Sequence, residues 1–146
     1  VGPDATAGPG EVVAAMIRSI KLSNRKQWRS LFGNWRVLHG WDGMPTADMA
    51  YDLPEANYQR MWEYSRRLIL NDVYDARVVK VFPARTVVEA DETHDLPEIE
   101  EVKVIIDHIG RFNGEYRSFS SVNVRRKWIL QRIAKGPWKI VNPQNL

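Results

Sequence analysis

His108 lies in the alternating run Val102–Gly110 (VKVIIDHIG), where an imidazole titrating near neutrality can move a proton inside a dry pocket. A second histidine, His39, lies between Trp35 and Trp41, and Asp42 three residues on is a carboxylate of the kind that orients a histidine base. These two are the candidate catalytic residues. Each has a plainer reading: His108 as a buried imidazole bonded to a serine hydroxyl, His39 as a packed or exposed strand-end residue. Asp91, Glu92, His94 and Asp95 offer oxygen and nitrogen ligands in one loop, but their spacing matches no metal-binding loop, so neither a metal nor a cofactor is expected. No glycine-rich phosphate loop, nucleophile elbow or paired-carboxylate motif is present, which disfavours nucleotide and serine hydrolysis. The absence of cysteine removes thiolate chemistry, disulfides and cysteine-bound zinc together.

A ligand would be held by large amphipathic side chains. Trp35, Tyr58, Met61, Trp62 and Trp128 can line an aromatic cavity or simply fill it, and Tyr116, Ser118 and Ser120 fall near His108 once the strands are paired as argued below.

The first half of the chain must carry these residues on helices. Glu11–Leu22 repeats Val13, Met16, Ile17 and Ile20 at helical spacing, with Arg18 and Lys21 outward. Asn24 and Gln27 resemble a capping box for a short helix burying Trp28, Leu31 and Phe32 and ending at Gly33. Asn34–Trp41 reads as a short strand and Asp42–Asp52 as a loop. Asp52, Pro54 and Glu55 open a third helix, to about Asn71, with Tyr58, Met61, Trp62, Ser65, Leu68 and Ile69 on one face.

From Val73 the period changes to two, predicting four or five antiparallel strands. Two hairpins are open at Phe112-Asn113-Gly114. A two-residue loop sets Val102, Val104 and Ile106 beside Arg125, Asn123 and Ser121. A three-residue loop pairs Arg111 with Glu115, and Val102, Val104, Ile106, His108 and Gly110 then share a face with Val124, Val122, Ser120, Ser118 and Tyr116. The second also sets Glu101 opposite Arg125 and Glu100 opposite Arg126, and is the register expected. Lys135-Gly136-Pro137 turns into a last strand, Trp138–Val141.

At 146 residues, one domain is expected over residues 11–146, preceded by a Gly- and Pro-rich flexible linker or tail at 1–10. Net charge is +3 with a pI near 9.3, and the dispersed cations carry no nucleic-acid motif, so no nucleic-acid partner is expected. No apolar run approaches the roughly 20 residues of a membrane span, and cytoplasmic residence is the default expectation.

The helix pair ending Trp28-Arg-Ser-Leu-Phe32, the Asn-Gly hairpin and the closing Gly136-Pro137-Trp138-Lys139-Ile140-Val141 resemble the nuclear transport factor 2-like superfamily over about Glu11 to Asn142. The resemblance implies an α+β fold in which N-terminal helices pack on a strongly curved antiparallel sheet, a cone whose open end holds a hydrophobic ligand or an active site. Ketosteroid-isomerase-like and SnoaL-like enzymes share this fold with noncatalytic association domains. The isomerase's carboxylate base would fall near Gly40, where this sequence has none, so that chemistry is not implied. Two functions follow as expectations: a SnoaL-like pocket protein binding a small, mainly apolar molecule with His108 or His39 as acid/base, or a noncatalytic interaction domain. Ile105, Ile109 and Phe119 on the outer sheet face make a homodimer the expected state under either.

Overall fold

The computed structural model describes residues 6–33, 37–39, 45–50, 54–71, 73–112, 115–118, 126–142 and 146. Helix α1 spans Pro9–Lys21 and buries Val12, Val13, Ala15, Met16, Ile17 and Ile20. It begins inside the stretch expected to be linker, because Pro9 at the first helical position needs no N–H partner and its fixed φ suits a helix start. Ala7 is already part of the core. Glu11 in the first turn and Arg18 and Lys21 in the last complement the helix dipole.

Helix α2, Arg25–Ser30, is capped as the sequence predicts: Asn24 Oδ1 accepts from the Gln27 N–H at 3.1 Å, and the two side chains bond at 3.2 Å. The chain then meets the far end of the sheet, where Ile140 N–H donates to Leu31 O and Gly33 N–H to Ile140 O, both at 2.9 Å.

Strands β1 (Val37–His39) and β2 (Pro45–Ala50) form an antiparallel pair. The loop expected over Asp42–Asp52 is therefore corrected in its middle, where pairing with β1 prevails over the turn-forming residues. Helix α3, Glu55–Asn71, buries Tyr58, Met61, Trp62 and Ser65, and Ser65 Oγ accepts from the N–H of the buried Leu146 at 3.1 Å.

Among the described residues the main sheet is antiparallel and has six strands: β3 (Val73–Val81), β4 (Arg85–Val88), β5 (Ile99–Phe112), β6 (Glu115–Ser118), β7 (Arg126–Ile133) and β8 (Lys139–Ile140). Long β5 is central, with β3 and β4 along one edge and β6 and β7 along the other. Register shifts in β3 between Val73 and Asp75 and between Val78 and Lys80 add twist and help the sheet curl over the helices. The chain is thus an α+β protein with its helices on one face of a curled antiparallel sheet.

The expected hairpin register is overturned. Phe112 pairs with Glu115 and Ile109 with Ser118, which is the two-residue Asn113-Gly114 connection. Farther along, Ile106 pairs with Arg126, Val104 with Trp128 and Val102 with Leu130. Ile109 is three positions from Ile106, whereas Ser118 is eight positions from Arg126, so five residues of the returning strand are extra. They fall within 119–125, outside the described residues. An odd excess exchanges the faces, so Phe112 can pair with Glu115 while Trp128 and Leu130 still join Val102 and Val104.

The charge pairs move with the register. Arg132, not Arg126, faces Glu100 and bonds it through two N–H groups at 2.8 and 3.1 Å. Gln131 faces Glu101, donating at 3.0 Å to a carboxylate that Arg85 also reaches at 3.2 Å.

Between helices and sheet, Trp28, Phe32, Tyr58, Trp62 and Trp128 form one aromatic cluster. Trp28 lies 4.7 Å from Phe32 and 5.3 Å from Trp62, and Phe32 lies 5.8 Å from Tyr58 and 6.5 Å from Trp128, in the tilted and edge arrangements aromatic pairs prefer.

Candidate functional site

The inner face of β5 runs Val102, Val104, Ile106, His108, and each of these side chains is buried. β7 adds Trp128 and Arg126 beside Val104 and Ile106, and β3 adds Ala76 opposite His108. The floor is therefore aliphatic and aromatic at one end, and carries an imidazole and a guanidinium at the other.

His108 is 2 % exposed. Burial pushes its pKa down to about 4, the positive charge of Arg126 adds to the drop, and Asp107 on the adjacent position partly opposes it. At neutral pH the side chain is an uncharged imidazole, able to accept or donate a hydrogen bond without the desolvation cost of a cation. In β1, His39 pairs with Pro45. Its side chain, and Trp35, Asp42 and Ser120 entire, lie outside what is described.

Of the residues expected to line a cavity, Tyr58, Met61, Trp62 and Trp128 all come together in the core, at 1, 8, 8 and 1 % exposure. The rings of Tyr58, Trp62 and Trp128 pack against Trp28 and Phe32. The corrected register sets Ser118 opposite Ile109 and Tyr116 opposite Arg111, so neither pairs where it was expected, across from His108 and Gly110.

Arg126 is the residue sequence reasoning missed. The expected register sets it opposite Glu100, yet it interrupts the apolar alternation Val122, Val124, Trp128, Leu130, and a cation at an inward position is the signal that could have found it. Two buried donors stand out here: Arg126 Nε and Trp128 Nε1 have no hydrogen-bond partner among the described residues.

The acidic loop holds a different arrangement. Asp91 Oδ1 accepts from the N–H groups of Thr93 and His94 at 3.0 and 3.3 Å, and Oδ2 bonds His94 Nδ1 at 2.7 Å. Those contacts hold the Asp91 carboxyl below its usual range and fold the turn on itself. Among the described residues no group of three His, Asp or Glu side chains converges as a metal site would require. No described helix is long and apolar enough to cross a membrane.

No family model matches the chain, and no curated protein matches it. Among solved structures, it is similar to the crystal structure of a proposed polyketide cyclase from Pseudomonas putida KT2440, at 12% identity over 94% of this chain and 91% of that one, with a TM-score of 0.33.

Proposed function

We propose that this chain is a SnoaL-like pocket protein of the nuclear transport factor 2-like class, binding a small, mainly apolar molecule at the His108 end of the inner face. The observation that carries the reading is His108 itself: an uncharged imidazole, 2 % exposed, placed where the apolar floor of β5 ends. Buried polar groups of this kind cost stability unless a partner or a task retains them. In this reading His108 accepts a proton from, or returns one to, a bound substrate, and Trp62 bounds the chamber on its helical side and Trp128 on its sheet side. His39 is the second acid/base candidate, and Trp35, Tyr58, Met61, Tyr116, Ser118 and Ser120 complete the proposed lining.

A thermal-shift screen of small hydrophobic molecules tests the reading, followed by His108→Ala in any assay a hit suggests. Several compounds are expected to raise the melting temperature, and His108→Ala is expected to abolish turnover or change affinity. A screen in which none raises it sinks the reading.

A noncatalytic interaction domain is the second reading, favoured by Ile105 and Ile109 remaining only half-buried on the outer face of β5. A homodimer through that face covers them. Light scattering at tens of micromolar protein is expected to give the dimer mass, and a monomer mass counts against it.

A further inference from the structure

Arg126 and Trp128 occupy alternate positions of β7 and so project from the same side of the sheet, opposite Ile106 and Val104. Trp128 is 1 % exposed and its indole N–H is buried without an acceptor; Arg126 Nε is buried in the same condition. Indole and guanidinium nitrogens are donors only. Leaving such donors unmet is costly, more so for the charged one, and so a molecule that completes this corner is expected to bring an acceptor. Among the described residues, the side chains that face this corner from the neighbouring strands, Val104, Ile106 and Ala76, have no acceptor. Arg126 also forms no ion pair among the described residues, although its charge is close enough to lower the pKa of His108. A cation held beside a desolvated imidazole on an apolar face calls for an anion.

We infer that the molecule bound in this chamber is a small apolar carboxylate, its rings or chain on the aromatic floor and its oxygens received by Arg126 Nε–H and Trp128 Nε1–H. The inference rests on the pocket reading above and deepens it, from an apolar ligand to an apolar acid. Charge-assisted bonds to guanidinium and indole then orient the carboxylate, and His108 sits one alternate position beyond Ile106, alongside the atoms next to it.

The test uses two probes with the same rings, naphthalene-2-carboxylate and naphthalen-2-ylmethanol, titrated calorimetrically into the intact chain. The carboxylate is expected to bind about tenfold tighter than the alcohol, the value of one hydrogen bond to a charged group. Arg126→Met removes that preference and leaves the alcohol unaffected, and Trp128→Phe, which keeps the ring and deletes the N–H, weakens the carboxylate selectively. Thermal unfolding checks that each variant is folded, and Arg126→Met, at a half-buried site, decides if Trp128→Phe is not. Equal affinity for the two probes, or an undiminished preference in Arg126→Met, overturns the inference and leaves an apolar pocket standing. Binding of neither probe overturns it together with the pocket reading.

Discussion

Gly33 approaches Lys139 so closely that a Cβ on Gly33 would lie 2.9 Å from the Lys139 Cβ, 3.5 Å from its Cγ and 3.6 Å from Val141 Cγ1. The obstacle is the root of a side chain, which no rotamer change moves, and the strand that carries it is held by the Gly33–Ile140 backbone bond. Gly33→Ala is expected to lower stability by about 1–3 kcal/mol, the usual cost of overpacking, as read by urea denaturation. An unchanged midpoint would mean that α2 and β8 separate more easily than their bonding implies.

His108 makes stability depend on pH. Its pKa falls from 6.5 to about 4 on folding, so between those values the unfolded chain binds the extra proton. The contribution is complete above pH 6.5, declines as pH falls through that window and changes no further below about 4. Between pH 7.5 and 5 the loss is about 2 kcal/mol, and His108→Leu is expected to flatten this slope. Denaturant titrations at the two pH values measure it.

Glu100 has the opposite sign. Arg132, then Lys135, hold its carboxyl down at about 2 against an ordinary 4.5. Its contribution is present above pH 4.5 and is lost as pH falls toward 2. Glu100→Gln is expected to cost about 1–3 kcal/mol at pH 7 and to remove part of the acid sensitivity below pH 4.5, a range separate from that of His108.

At the β7–β8 turn, Ala134 and Lys135 have φ of 50° and 61°, and Gly136 N–H donates to Ile133 O at 2.9 Å. Two successive positive φ values closed by this bond describe a type I′ turn, which prefers asparagine or glycine at its first central position. Ala134→Asn relieves that strain while keeping Lys135, whose Nζ lies 2.9 Å from Glu100 Oε1. It is expected to raise stability by about 0.5–1 kcal/mol, seen as a higher melting temperature.

The helices were legible because their signals are local: the Asn24–Gln27 cap, the α1 stripe and the α3 stripe all fall within a few residues of where the sequence predicts them. The strand face of β5 was legible for the same reason. The register of its partners was not, because two good signals conflict. Asn113-Gly114 demands one parity and the apolar alternation through Trp128 and Leu130 demands the other, and the chain satisfies both by inserting residues between β6 and β7. Pattern alone cannot tell a longer loop from a later insertion. That one choice determines which residues stand across from His108 and Ile106, and hence why the expected register sets Arg126 beside Glu100 where the structure sets it beside Ile106.

Strand β5 has neighbours on both edges along Ile99–Ile106, with Phe82 N–H bonded to Lys103 O at 2.9 Å where β3 gives way to β4. Its peptide groups are thus engaged to left and right, by the outer strands β3 and β4 on one side and by β7 on the other. In deuterated water, the amide protons between Val102 and Ile106 that face β7 are expected to exchange more slowly than those that face the outer strands β3 and β4, because only the latter are released by local fraying.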